Sequence, residues 1–414
     1  MMRHIFTPLF CALLLGATGS LQAAPLTLEE AQRLAESHNP MLRAAASQAA
    51  GARAALDTAS AFPNPEVEYG SGNSHLLPPG TPPGRNQLFG VSQPLEWPGV
   101  RAARRHAAEA GIEAGDALLT DARLSLRALV RQNFLEVQRR EEESQLAEQG
   151  RALLEQIRNR VKLRVEVGEA ARYELVKSEA EVLAAENFAL GAEVRTRQAR
   201  DRLRATLGAE LPAEFEITPT TPMPGVLPPL DALQQELLAR QPQLQVAHAE
   251  TRRAEARLEH ERNLRLPQPT LKWSAERHPD VNLWRIGLTF PLPLWDRRSG
   301  PVGEAQAGLE RARAEEDRLR LTLLSDLDQA HGRFLIAQRQ LHTFENGLMR
   351  DAEAALKVAQ AAYRHGERGI LDYLDAQRVF RTTRMDYLNA RFELQAALIE
   401  IDRLRAAPLY GDAP

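Results

Sequence analysis

Hydrophobic residues recur every three or four positions over most of this 414-residue chain. Leu119, Ala122, Leu126 and Leu129 are spaced by three, four and three residues, and similar spacing continues through residues 390–404. Such spacing is typical of helices that pack along one seam. It predicts two hairpins of long helices, at residues 100–167, 172–207, 302–365 and 371–404. At 1.5 Å per residue the first helix is about 100 Å long, so the pattern predicts rods instead of a compact globule.

Alternation between apolar and polar residues marks two other regions, residues 66–96 and 270–292. Leu271 and Trp273 flank Lys272, for example, which is the period of a strand with one apolar face. Any one such segment also fits a half-buried hairpin of a soluble protein. The tryptophans favour the strands of a membrane barrel, because aromatic residues collect at barrel rims. All four lie in or beside these regions: Trp97, Trp273, Trp284 and Trp295.

Two strand pairs cannot close a barrel by themselves. An open strand edge in lipid leaves backbone groups unpaired at several kcal/mol each. A membrane barrel built from this chain therefore requires several copies of it.

The chain is also a tandem repeat. "FPNPEVEY" at residues 62–69 corresponds to "LPQPTLKW" at 266–273, and "VGEAARYELVKSEA" at 167–180 to "HGERGILDYLDAQR" at 365–378. We predict two structural repeats of short helix, medium helix, strand pair and long helical hairpin. The predicted division is a first repeat at 24–217, a proline-rich linker at 218–229, a second repeat at 230–405 and a tail at 406–414.

Each strand pair is followed by a motif rich in proline and tryptophan, "QPLEWPGVR" at 93–101 and "FPLPLWDRRSGP" at 290–301. Proline has no N–H group for a strand ladder or a helix interior. These motifs therefore predict the joints at which strands end and long helices begin. The predicted joint residues are Pro94, Trp97, Pro98, Pro291, Trp295 and Pro301.

Composition excludes some classes of function. The 52 basic and 55 acidic residues are mixed without a long block of one sign, which argues against a nucleic-acid-binding arm. Residues 1–23 combine Arg3, an apolar run and a small-residue end, which predicts a secretory signal peptide cleaved near Ala23. The single cysteine, Cys11, lies within it, so no disulfide is expected in the exported protein. No later segment has the roughly eighteen consecutive apolar residues of a membrane helix.

Together these motifs resemble the TolC-like outer-membrane factor family over the whole exported chain. The resemblance rests on the repeat, on "NPEVEY" and "QPTLKW", and on turns that place an acid six residues after a glycine, at Gly168 and Gly366. The joint motifs resemble the CzcC-like heavy-metal efflux subgroup. The family fold is mainly α with a membrane β-barrel portion: a homotrimer forms one twelve-stranded barrel, continued by a long helical tunnel.

The resemblance also implies a function and partners. It implies a passive duct in the outer membrane of a Gram-negative bacterium, exporting heavy-metal cations. The partners would be further copies of the chain, a periplasmic adaptor, a proton-driven inner-membrane pump of the RND type and outer-membrane lipid, without nucleic acid or cofactor. The hairpin loops at residues 71–85 and 277–280 would face outside, and the turns at Gly168 and Gly366 would be the tunnel tips.

Two sites at the tip follow from the family motif. Asp372 and Asp375 lie three residues apart, on one helix face, and would form two carboxylate rings at the narrowest point, where such rings select cations. Alternatively Asp372 only opposes the helix dipole. Tyr363, Arg368 and Glu174 would form a latch between neighbouring hairpins; alternatively they are three solvated residues at helix ends.

Parts of the sequence also fit functions other than a metal duct. A drug or organic-solute duct of the same family shares the fold, and a periplasmic coiled-coil scaffold or adaptor could use the same rods. A scaffold, however, has no reason to carry strand pairs that end in Trp- and Pro-rich joints. No nucleophile elbow, phosphate loop or metal-ligand spacing supports an enzyme or a metal centre.

Overall fold

The computed structural model describes residues 25–73, 84–209, 211–212, 215–220 and 227–406. The predicted signal peptide lies outside the described residues. So do residues 74–83 of the first predicted outer loop, residues 221–226 of the linker and residues 407–414 of the tail.

Within the described residues, the first half of the chain contains four helices and one strand pair. They are α1 (Leu28–His38), α2 (Pro40–Ser60), β1 (Glu66–Asn73), β2 (Arg85–Pro94), α3 (Pro98–Glu166) and α4 (Arg172–Leu207). The second half contains α5 (Leu230–Arg240), α6 (Pro242–Asn263), β3 (Thr270–Arg277), β4 (Asn282–Thr289), α7 (Ser299–Thr343), α8 (Met349–Arg364) and α9 (Ile370–Arg405). It repeats the order of the first half, except that two helices, α7 and α8, occupy the place of α3.

Local sequence explains where these helices begin and end. Helix α1 starts after Thr27, whose Oγ1 accepts a hydrogen bond from the Glu30 amide, and α2 starts after Asn39, whose side chain accepts one from the Met41 amide. Prolines occupy the first positions of α2, α3 and α6, where no N–H group is needed. Helix α4 ends at Gly208, which has the positive φ of 66° that suits glycine.

The prediction of one unbroken helix over residues 302–365 is wrong. A π-helical turn, Phe344–Leu348, separates α7 from α8, and within it Gly347 leaves the helical region with φ 167° and ψ −44°. The predicted helix at 172–207 is confirmed, since α4 has those bounds. Among the described residues, no helix is both long and apolar enough to cross a membrane.

The four strands form one antiparallel sheet in the order β1, β2, β3, β4. Pairing of β2 with β3 therefore joins the two halves of the chain. Across the sheet the register aligns the apolar residues in rows, such as Tyr69, Phe89, Ala275 and Trp284. Paired residues point to the same side, so the predicted apolar face is confirmed. Strand β4 ends at Thr289, earlier than the predicted boundary at residue 292.

Buried apolar residues form several clusters along the helices instead of one central core. One cluster joins α1, α3 and α4, around Phe134 and Leu203, and a second joins α5, α7 and α9, around Leu237 and Leu327. A third lies at the far end from the sheet and joins the helices of both hairpins. This third cluster holds the predicted site residues at the tip in place.

Candidate functional site

The two turns at the tip have the same backbone structure. Gly168 follows α3 with φ 80°, and Gly366 follows α8 with φ 75°. In each turn the glycine N–H and the next N–H bond back to the last carbonyls of the helix, the hydrogen-bond pattern of a Schellman cap. A Cβ atom at either glycine would meet no atom within 4 Å. The positive φ, and not lack of space, therefore explains why glycine is suited to both turns.

Asp372 and Asp375 lie in the first two turns of α9, with side chains 53% and 61% exposed. The buried neighbours Tyr373 and Leu374 pack toward the other helices, so the two carboxylates lie on the opposite, open face of α9. Arg368 Nη1 lies 3.5 Å from Asp372, and Arg378 forms an ion pair with Asp375. Each carboxylate is thus partly neutralised by an arginine of its own hairpin.

Tyr363 is held between the two hairpins. Its ring stacks on Tyr373 with centroids 5.9 Å apart, and the guanidinium of Arg164, from α3, lies 5.7 Å from its centroid. Its hydroxyl oxygen is buried and makes no hydrogen bond within the described residues. Gln360 donates a hydrogen bond of 3.3 Å to the hydroxyl of Tyr373, and burial raises the pKa of Tyr373 above its ordinary value.

The three predicted latch residues are not brought together within one chain. Arg368 pairs with Asp372 of its own hairpin, and Glu174, in the first turn of α4, forms no ion pair with a described residue. Tyr363 contacts the neighbouring hairpin, through Arg164.

Sequence reasoning missed two of the residues that hold the tip together, Tyr373 and Arg164. The spacing of Ile370, Tyr373, Leu374 and Gln377 along α9 is that of a buried face and could have identified Tyr373.

Sequence reasoning also missed a belt of ion pairs in the middle of α3. Glu143 is 4% exposed relative to a free residue and pairs with Arg140 of α3 and Arg195 of α4 at 2.6 and 2.8 Å. On the other side of α3, Glu142 pairs with Arg391 of α9. The belt therefore fastens α3 to one helix of each hairpin. Mixed charges along a helix gave no sign of its links to other helices, because Arg195 and Arg391 lie far from their partners in sequence.

The two predicted joints differ in their surroundings. In the first, Pro94 ends β2, Pro98 opens α3, and the indole N–H of Trp97 donates a 2.8 Å hydrogen bond to the Pro267 carbonyl. In the second, Pro291 lies just beyond β4 and Pro301 is the third residue of α7. Trp295 is 92% exposed.

Comparison with known proteins identifies what the chain is similar to. The profile of the family described as "Outer membrane efflux protein" matches residues 31–209 and 233–406. The cobalt-zinc-cadmium resistance protein CzcC of Cupriavidus metallidurans is 28% identical over 92% of this chain and 90% of its own length. The nickel-cobalt-cadmium resistance protein NccC of Alcaligenes xylosoxydans is 28% identical over 75% of this chain and 71% of its own.

A solved structure shares the fold. The crystal structure of CusC, which was solved to describe conformational changes on folding and transmembrane channel formation, superimposes on this chain with a TM-score of 0.80 at 18% sequence identity. The superposition covers 92% of each chain. At that identity the likeness concerns the fold alone.

Proposed function

The chain belongs to the outer membrane efflux protein family, and on that basis we propose that it is the outer-membrane duct of an efflux system for heavy-metal cations. The predicted family, the mainly helical fold with a barrel portion and the outer-membrane location are confirmed. The metal cargo is supported by the similarity to CzcC and NccC along most of the chain.

The proposal rests on the combination of an amphipathic sheet and very long helices in one chain. A sheet with one continuous apolar face is joined directly, through β2 and α3, to helices of 69 and 36 residues. An apolar outer face suits lipid, and a polar inner face carrying Glu68, Lys272 and Arg285 suits a water-filled pore. Three such chains would supply twelve strands to a barrel and continue it as a tunnel.

A passive duct needs partners that supply energy and opening. The proposed partners are further copies of the chain, an inner-membrane pump of the RND type that selects the cation, and a periplasmic adaptor that meets the tip. The chain would serve transport and not catalysis.

Within this duct we assign the tip residues as follows. Asp372 and Asp375, exposed on the open face of α9, form the carboxylate rings. Tyr363, whose buried hydroxyl has no partner within the described chain, forms the latch with Arg368 and Glu174, and Gly168 and Gly366 shape the turns. The ion pair between Arg368 and Asp372 links the latch to the ring.

Deletion of the gene from the bacterium that carries it tests the proposal. We expect the minimal inhibitory concentrations of cobalt, zinc and cadmium salts to fall several-fold, while those of dyes and detergents stay close to wild type. A plasmid copy of the full chain should restore resistance, and a matched copy lacking residues 1–23 should not. Greater sensitisation to dyes and detergents than to metals would replace the metal duct with a duct for organic solutes.

A further inference from the structure

The long helical arm of the second repeat is interrupted, and the interruption is loosely packed. Helix α7 ends at Thr343 and α8 begins at Met349, with the π-helical turn Phe344–Leu348 between them. Within this turn, Gly347 leaves the helical region of backbone conformation. In the described structure, no residue of the turn is buried. Long helices bend at interruptions of this kind, so the turn divides one arm into two rods.

The rod nearer the sheet is firmly packed, whereas the rod nearer the tip is not. Leu327 and Phe334 of α7 are buried in a cluster that also contains residues of α5 and α9. Helix α8 has 16 residues, all of them described, and Ala352 is the one that is buried. Leu356 and Ala359 lie at the edge of the third cluster and are only partly buried. Helix α8 therefore has little buried apolar surface to hold it in place.

Helix α9, the partner of α8 in this hairpin, is fastened to the first hairpin. Near the tip, Tyr373 and Leu374 are buried in the cluster that contains residues of α3 and α4. Farther along α9, the guanidinium of Arg381 lies 5.8 Å from the ring centroid of Phe188, which belongs to α4. The two helices of the second hairpin are thus held very differently.

The fastening of α9 is also present at the level of the π-helical turn. Phe344, in the turn, packs edge-to-face on Tyr387 of α9. Two residues farther along α9, the side-chain oxygen of Asn389 accepts a 2.6 Å hydrogen bond from Arg139 of α3. The belt of ion pairs joins α9 to α3 in the same region. The turn is therefore placed beside a fixed part of the molecule.

The tip end of α8 is held by weak contacts. The ring of Tyr363 stacks on Tyr373, and the guanidinium of Arg164 lies 5.7 Å from its centroid. The hydroxyl of Tyr363 makes no hydrogen bond within the described residues. Ring stacking and cation–π contacts are each weak compared with burial of a whole helix face. Helix α8 thus combines an interruption at one end with a releasable attachment at the other.

We propose that the π-helical turn Phe344–Leu348 is a hinge on which α8 swings, while α9 stays fixed on the first hairpin. This inference rests on the proposed duct and adds which helix moves at its tip. From Gly347 to Tyr363 the helix extends about 24 Å, so a tilt of about 10° displaces Tyr363 by about 4 Å. The latch residue Tyr363 lies on the moving helix, whereas Asp372 and Asp375 lie on the fixed one. The latch can therefore open without moving the carboxylate rings.

Distances between pairs of spin labels, measured by double electron–electron resonance on the full chain, test which helix moves. Cys11→Ser removes the one native cysteine. Asn187→Cys on α4 is the reference position, combined with Ala361→Cys on α8 or with Val379→Cys on α9, and all three positions are exposed. Co-expression with an excess of unlabelled chain keeps one labelled copy in each assembly. We expect the α8 distance distribution to be several ångströms broader than the α9 distribution.

Gly347→Ala tests the hinge itself. Alanine favours the helical backbone more than glycine does, and its Cβ would meet no atom closer than 3.7 Å, so the substitution should fit and stiffen the turn. We expect the α8 distribution to narrow to the width of the α9 distribution. The matched control is Gly332→Ala, in the continuous part of α7, where a Cβ would meet no atom within 4 Å. It should leave both distributions unchanged.

Two results of the distance measurements would overturn the hinge. Equal widths for α8 and α9 in the wild type would mean that the hairpin is rigid or moves as a unit. An α8 distribution that stays broad in Gly347→Ala would place the movement elsewhere than in the turn.

Single-pore conductance connects the hinge to the proposed duct. Tyr363→Phe with Arg368→Ser releases the proposed latch, and adding Gly347→Ala should cancel most of the several-fold rise in conductance, because α8 can no longer swing. Adding Gly332→Ala instead should leave the rise intact. An undiminished rise with Gly347→Ala would overturn the hinge as the route of opening. Wild-type conductance in the latch variant alone would overturn the latch, and the spin-label distances would then decide the hinge by themselves.

Discussion

Asp372 and Asp375 combine exposure with partial neutralisation by arginines of the same hairpin. Exposed ion pairs of this kind contribute at most about 1 kcal/mol to stability, because water screens them. A stabilising role therefore explains them poorly. A role toward ions in the pore explains them better, since rings of carboxylates attract cations at a constriction.

Asp372→Asn with Asp375→Asn should reduce the cation selectivity of single pores in planar bilayers. Each chain loses two negative charges and leaves two arginines unpaired at the proposed constriction, so the reversal potential in a salt gradient should move toward that of an unselective pore. The control, Asp351→Asn with Glu353→Gln, removes two ion-paired acids from α8. If both variants kept wild-type selectivity, Asp372 would only oppose the helix dipole.

Tyr363 buries a hydroxyl without a hydrogen-bond partner among the described residues, which is costly unless another group satisfies it. In the proposed latch a neighbouring copy of the chain satisfies this hydroxyl, so Tyr363→Phe with Arg368→Ser should weaken the closed tip and raise single-pore conductance several-fold. The dissociation temperature of the trimer should stay unchanged, because the sheet is untouched. The same substitutions at the exposed Tyr173 and Arg172 of the first hairpin serve as control. Wild-type conductance in the first variant would assign closure to helix packing.

Along α3, the belt of ion pairs includes one carboxylate whose titration can be followed. Arg139 and Arg140 both lie 2.7 Å from Glu136. Burial alone would raise the pKa of Glu136, but hydrogen bonds and charges from the two arginines outweigh it and hold this pKa below its ordinary value of 4.5. The carboxylate therefore stabilises the folded state above pH 4.5, and that contribution is lost as the pH falls through the lowered pKa.

Glu136→Gln should accordingly reduce the free energy of unfolding at pH 7 by on the order of 1 kcal/mol. The thermal unfolding temperature should fall with it. The difference from wild type should shrink as the pH falls from 4.5 through the lowered pKa, because the carboxylate of the folded wild-type protein then becomes protonated as well. Glu148→Gln is the control, since its pair with Arg151 lies at the surface. A difference that stayed constant from pH 7 to pH 3 would contradict a role for this charge.

The second hairpin is built differently from the first. Helix α3 is continuous over 69 residues, whereas its counterpart is divided by the π-helical turn Phe344–Leu348. At the turn, Phe344 packs edge-to-face on Tyr387 of α9, with centroids 6.2 Å apart. The interruption is thus packed against its partner helix within the same hairpin.

At the scale of the whole molecule, a single chain leaves both edges of its sheet unpaired. Strands β1 and β4 each present a free edge, and in lipid such an edge is costly. We expect the mature protein to fractionate with outer membranes and to run in mild detergent as a trimer that heat converts to monomers. Light scattering gives the mass, and a boiled sample is the control. Recovery as a soluble periplasmic monomer would instead favour the scaffold function.

Periodicity in the sequence was sufficient to predict the long helices and strands, and to predict which side chains of a strand share a face. Heptad spacing depends only on residues three or four apart, so α4 was predicted with its observed bounds. Alternation likewise placed Trp273 and Ile286 on one face, because the side-chain period of a strand is local. The repeat and the joint motifs were sufficient to identify the family.

The tertiary structure decided everything that depends on partners distant in sequence. Glu142 and Arg391 are far apart along the chain, and only packing of α3 on α9 brings them together. The same holds for Tyr363 and Arg164, whose contact depends on how the two hairpins meet. From sequence alone, two similar motifs predicted the same kind of joint position for Trp97 and Trp295. The fold separates them, because only the first has a second repeat of the same chain to pack against.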